Sequence, residues 1–129
     1  VFMSNIEEFM REDIFNLAVN TGSRMINRVD KTTISNIISL FLGRVDVKGA
    51  LNELVIYIAR QIGRREIPRD VGKMLLQNLR EIKSKCGSEE QLRDAISKYL
   101  VLLRWVYDSD VRGVSNIDAF IDRLTSGVS

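Results

Sequence analysis

Arg60 and Arg64 stand one helical turn apart, and Arg65 and Arg69 carry the same charge around the turn between Gly63 and Pro68. A guanidinium presents its donors in a planar fork that fits phosphate oxygens, so a row of arginines can hold a polyanion by its backbone. Such contacts position a nucleic acid without reading its sequence, and their strength falls steeply with salt. Lys73 and Arg80 continue the row, and Gln61, Gln77 and Asn78 lie between these cations as neutral hydrogen-bonding groups. Tyr57 is the only aromatic residue close by, so the stretch lacks the stacking platforms that base-specific capture of a single strand requires. A solvated helical surface explains the same residues equally simply, with the arginines paired to Glu53, Glu66, Asp70 and Glu81.

Other chemistry is limited by the residues on offer. The chain has no histidine, which removes imidazole acid–base catalysis and every metal site that needs an imidazole. Cys86 is its one cysteine, so neither a disulfide framework nor a cysteine-only zinc cluster can form within it. That thiol precedes Gly87 at an expected helix C-terminus, where the helix dipole disfavours a thiolate. Asp108 and Asp110 are the nearest approach to a local carboxylate pair for magnesium, and their place in a turn suits solvation and capping as well. Gly43, Gly49 and Gly63 form neither a phosphate-binding loop nor a dinucleotide fingerprint. Nothing near Lys73 in sequence would lower its pKa as a nucleophilic amine requires. No catalytic residue, metal or cofactor is expected, and the chain does not read as an enzyme.

The cations are also unevenly placed. Between Ala59 and Lys85 eight lysines and arginines face three carboxylates, a local charge of +5, whereas the whole chain carries +2 and the remainder therefore −3. A segregated field of this kind draws polyanions to one region. The 129 residues, of which 45% are hydrophobic, suffice for one core and suggest a single domain over residues 1–129. No apolar run approaches the roughly 18 residues of a membrane span. Val1 to Met10 carries Glu7 and Glu8 where a signal peptide would be basic, and the lone cysteine suits a reducing interior, so a soluble cytoplasmic protein is expected.

The elements that must position these residues are helical. Ser4 with Glu7 fits a capping box, Phe9, Met10, Ile14, Leu17 and Ala18 follow at helical spacing, and Gly22 is placed to end or bend that helix. Asp30, Thr32 and Thr33 offer caps for a second helix whose stripe is Ile34, Ile37, Ile38, Phe41 and Leu42, stopping at Gly43. A third, Asp46 to Gly63, gathers Leu51, Leu54, Val55, Ile58 and Ile62 within a narrow arc. Pro68 suits the start of a fourth, whose buried stripe is Val71, Met74, Leu75, Leu79 and Ile82, with Lys73 and Arg80 opposite. The third and fourth helices would thus both turn basic backs to solvent.

Gly87 closes the fourth helix, and Ser88 with Gln91 opens a fifth, in which Leu92, Ala95, Ile96, Tyr99, Leu103, Val106 and Tyr107 face a core. Val101 and Trp105 fall on its opposite side, with Leu102 between the faces, so the helix is apolar nearly all round. Such a helix is either central in its own bundle or covered by a partner, with Trp105 as an anchor. A short last helix near residues 116–125, capped by Ser115 and Asp118, would dock through Ile117, Phe120, Ile121 and Leu124 ahead of a loose tail from Ser126 to Ser129. The fold class is all-α, a compact bundle of five to six helices.

Three segments carry a family resemblance: KTTISNII at Lys31 to Ile38, LNELVIYIARQ at Leu51 to Gln61, and KYLVLLRWVYD at Lys98 to Asp108. Across Lys31 to Asp108 the chain resembles the small helical subunit of type III CRISPR effector complexes, and it is similar in the same way to the small subunits of type I complexes. The resemblance implies a non-catalytic antiviral-defence subunit, present in several copies, that lines a ribonucleoprotein filament and contacts the backbone of guide or target RNA. On the ARQ segment it implies that Arg60 faces the nucleic acid, with Arg64 and Arg65 beside it. The family often carries a basic residue in its threonine-started helix, where this chain has Ile34, Ser35, Asn36, Ile37 and Ile38.

The residues together suggest a nucleic-acid-binding subunit that acts through Arg60, Arg64, Arg65, Arg69, Lys73 and Arg80. The expected partners are single-stranded RNA or the backbone of a guide–target duplex, together with other effector-complex subunits. Val101, Leu102 and Trp105 would form an interface, self-association included, and no membrane is involved. The alternative is a helical adaptor or structural protein of an archaeal virus or mobile element, in which the basic stretch is only a solvated face.

Overall fold

Phe9 and Ile14 are five residues apart, a spacing that regular α-helix places on different sides, yet both are buried. The computed structural model, which describes residues 5–126, reconciles them with one wide turn. Helix α1 covers residues 5–25 as an α-helical turn Asn5–Glu8, a π-helical turn Phe9–Asp13 and a further α-helical stretch Ile14–Met25. Within it the Ile14 N–H reaches back to the Phe9 carbonyl, and the extra residue brings both side chains to one face. Ser4, the first half of the expected capping box, lies outside the described residues, as do residues 127–129.

The remaining helices are α2 (Lys31–Phe41), α3 (Val47–Gly63), α4 (Arg69–Lys85), α5 (Glu89–Asp108) and α6 (Ile117–Thr125). These six make an all-helical bundle with no strand among the described residues. None is long and apolar enough to cross a membrane. Local chemistry sets several boundaries. Asp46 caps α3 by accepting from the Gly49 N–H at 3.1 Å, and Gly43, at φ 80°, ends the turn after α2 in a conformation that suits glycine. Ser88 caps α5 by accepting from the Gln91 N–H at 3.1 Å, while the Gln91 side chain reaches back to the Gly87 N–H at 2.7 Å. Asp30 occupies the N-cap of α2 without a side-chain capping bond.

Two expectations about helix ends are corrected. Gly22 does not end α1; it is buried within it, and a Cβ there would stand 3.0 Å from both the Leu103 carbonyl oxygen and Val106 Cβ on α5. The glycine therefore permits close approach of α1 and α5. For α6 the cap is Asn116, which accepts from the Ala119 N–H at 2.8 Å, and Asn16 accepts from the Ile117 N–H at 2.9 Å. Ser115 and Asp118 do not serve: Ser115 accepts from Arg24 instead.

α5 is the central helix. It packs most extensively on α1 and also touches α2, α3 and α4, so Leu92, Ala95, Ile96, Tyr99, Leu100, Leu103 and Val106 are all buried. A second, smaller cluster of Val19, Val106, Val111 and Val114 receives Ile117, Ala119 and Phe120 of α6. The loop before α6 is fixed to α1 through Ser23, whose hydroxyl donates to the Val114 carbonyl at 2.9 Å and accepts from the Val114 N–H at 3.1 Å. That cluster is large enough for the first turn of α6 only. Ile121 and Leu124, expected to dock, remain 50% and 58% exposed.

Inside the bundle lies a polar junction of three helices. Asn78 of α4 donates to Thr21 Oγ1 of α1 at 2.6 Å and to the Tyr99 hydroxyl of α5 at 2.7 Å. Tyr99 is fully buried, and that burial raises its pKa above the usual phenol value against the opposing effect of its hydrogen bonds to Asn78 and Thr21. A buried amide with partners on two other helices favours one register of the three.

Candidate nucleic-acid interface

The turn between α3 and α4 is built by the last residues of α3. The Glu66 N–H bonds to the Gln61 carbonyl at 2.9 Å and the Arg65 N–H to the Ile62 carbonyl at 3.0 Å, the two bonds of a Schellman helix end. Arg65 occupies the position where glycine is usual and accordingly stands at φ 64°. Pro68 follows as the N-cap of α4, and Ile67 beside it is fully buried, so the turn is pinned at its middle. Gly72 then lets α4 lie against Ile62: an added Cβ would overlap that side chain.

At about 100° per residue, Arg69, Lys73 and Arg80 fall within an arc of about 40° on α4, opposite its buried residues Val71, Leu75, Leu79 and Ile82. The rise of a helix spreads these three over about 16 Å. All three are exposed, Lys83 borders the arc, and Asp70, Glu81 and Lys85 lie away from it on one flank. Arg60 projects from the back of α3, and Arg64 is that helix's C-cap; both are exposed. The back of α3 is not a cationic stripe. Around Arg60 it carries Asn52, Glu53 and Ile56, the last 70% exposed. Of the six predicted cations, the structure aligns Arg69, Lys73 and Arg80 on one helix and brings Arg65 and Arg69 to one depression, lined also by Ile62, Gly63, Ile67 and Pro68.

Of the four carboxylates expected to neutralise these cations, two pair elsewhere, while Glu66 and Glu81 make no ion pair among the described residues. Asp70 binds Arg28 at 2.8 and 3.0 Å, and Glu53 binds Arg44 at 2.9 and 3.0 Å. Each bidentate bond holds its carboxyl below the ordinary carboxylate range. Among the described residues, Arg60, Arg64, Arg65, Arg69, Lys73 and Arg80 make no ion pair. The pairs that form join different segments, so helix-face spacing could not reveal them.

Gln61 and Asn78 are not available to a ligand. Both sit on core-facing positions and are buried, Asn78 in the three-helix junction and Gln61 with its Oε1 lacking a hydrogen-bond partner among the described residues. The signal for Asn78 was present in the sequence, since it stands seven residues after Val71 and three after Leu75 on the apolar stripe. Gln77 is exposed.

The other candidate residues are equally placed. Asp108 pairs with Arg104 and Asp110 with Arg112, and no group of three or more metal-ligating side chains occurs among the described residues. Cys86 is half-buried at the C-cap of α4, where burial raises its thiol pKa. Trp105 is 65% exposed on the outer side of α5, Val101 is half-buried, and Leu102 is half-buried and packed on the main core. Compared with protein-family models, with curated proteins and with solved structures, the chain matches none.

Proposed function

We propose that this protein binds the phosphate backbone of a nucleic acid along α4, as a non-catalytic subunit of a ribonucleoprotein assembly. The observation that carries the reading is the arc of Arg69, Lys73 and Arg80, exposed and without ion pairs, next to an Asp70 that is engaged by Arg28. A row of cations with no aromatic platform suits phosphates and leaves the bases unread. Assembly into an effector complex rests on the three segments that resemble small effector subunits. In that setting the 65% exposed Trp105 of α5 supplies a contact for neighbouring subunits.

Fluorescence anisotropy with labelled single-stranded RNA tests the reading. Three phosphate contacts along the arc give a log–log salt slope of about −2 for a single strand, and charge reversal of Arg69, Lys73 and Arg80 should abolish binding. Absence of binding at about 50 mM salt, or a triple variant with unchanged affinity, refutes the proposal. Whether large effector-complex subunits are encoded beside this gene and co-purify with the protein checks the assembly part.

A further inference from the structure

The depression at the α3–α4 turn differs from the open arc that begins beside it. It has a volume of about 440 Å³ and is walled by Ile62, Gly63, Ile67 and Pro68, with Arg65 and Arg69 as its only charged lining residues. Both arginines are exposed, and neither makes an ion pair among the described residues. Glu66, adjacent to Arg65, does not line the depression, and Asp70, adjacent to Arg69, is held by Arg28 at 2.8 Å. Arg65 stands at φ 64°, a left-handed backbone that glycine would adopt without strain.

Two guanidinium groups at one depression match a dianion better than a monoanion. An internal phosphodiester carries one negative charge, whereas a phosphate monoester carries about −1.5 to −2 at neutral pH and offers three terminal oxygens. Position favours an end as well. Arg69 belongs to both the depression and the arc, and the arc runs from there in a single direction, reaching Lys73 after about 6 Å and Arg80 after about 16 Å.

We propose that Arg65 and Arg69 seat the terminal phosphate monoester of a nucleic-acid strand, whose following phosphates run over Lys73 and Arg80. The terminal sugar then rests on the half-buried apolar side chains of Ile62 and Pro68. This inference rests on the backbone-binding reading and adds recognition of a strand end.

The experiment compares short RNAs of one sequence bearing a 5′-phosphate, a 3′-phosphate or hydroxyls at both ends. One phosphorylated end should bind about tenfold tighter than the hydroxyl strand, and which one it is gives the strand polarity. Arg65→Gly should remove that preference without lowering the melting temperature, because glycine relieves the left-handed backbone. Arg69→Gln should also remove it, whereas Lys73→Gln should weaken all three RNAs by the same factor. Equal affinity for the three strands overturns the end seat and leaves backbone binding standing. A preference that survives both arginine substitutions also overturns it. If no strand binds at low salt, the backbone-binding reading fails and the end seat with it.

Discussion

Asn78→Ala should destabilise the protein by about 2–4 kcal/mol, although Asn78 lies in the most basic stretch of the chain and resembles a surface amide in sequence. Its Nδ2 bonds Thr21 Oγ1 at 2.6 Å and the Tyr99 hydroxyl at 2.7 Å, and both partners are fully buried. Leaving a buried hydroxyl short of its partner costs about 1–3 kcal/mol, and the vacated side-chain space adds roughly 1 kcal/mol. For a chain of this size the sum corresponds to a fall in Tm of about 10 °C. Urea denaturation followed by far-UV circular dichroism measures it, with Gln77→Ala as the comparison, expected to stay within about 0.5 kcal/mol because Gln77 is exposed. Asn78→Ala and Tyr99→Phe together should cost less than the sum of the two, since they remove the same bond. If Asn78→Ala costs under about 0.5 kcal/mol, or no more than Gln77→Ala, the buried junction is wrong.

Gly22→Ala sets two effects against each other. Alanine gains about 1 kcal/mol of helix propensity, but its Cβ would lie 3.0 Å from a backbone carbonyl of α5, and overpacking of that kind costs about 1–3 kcal/mol. A net loss near 1 kcal/mol is expected by thermal denaturation, and a gain in stability would show that α1 and α5 do not cross so closely. Trp105→Ala should cost under about 1 kcal/mol, against 3–5 kcal/mol for a buried tryptophan, while weakening any self-association seen by sedimentation velocity. Core-sized destabilisation of the monomer would remove Trp105 from consideration as an interface anchor.

Much of the fold was legible because helix chemistry is local. Asp46 and Ser88 cap where side-chain type and spacing put them, and Val71, Leu75, Leu79 and Ile82 of the expected α4 stripe are buried as its period requires, with Met74 half-buried at its edge. The site was less legible. Reading six cations as one row weighted sequence proximity over helix phase. Phase places Arg69, Lys73 and Arg80 together on α4 and leaves Arg60 beside Ile56 and Glu53 on α3. The amides went astray for a related reason: Gln61 and Asn78 are polar in type but core-facing in position.

By itself, the sequence determined the helix spans, the Ser88–Gln91 cap of α5 and most of the apolar faces, since each depends on residues within a turn or two of one another. It also determined that α4 carries a row of cations opposite a buried stripe. The tertiary structure decided what that row is free to do. Asp70 is taken by Arg28, 42 residues away in the chain, and Glu53 by Arg44 from the α2–α3 loop. The approach of α1 to Leu103 at Gly22 and the meeting of Asn78 with Tyr99 were decided at the same level. Partners of this kind are chosen by helix packing, which no local spacing encodes.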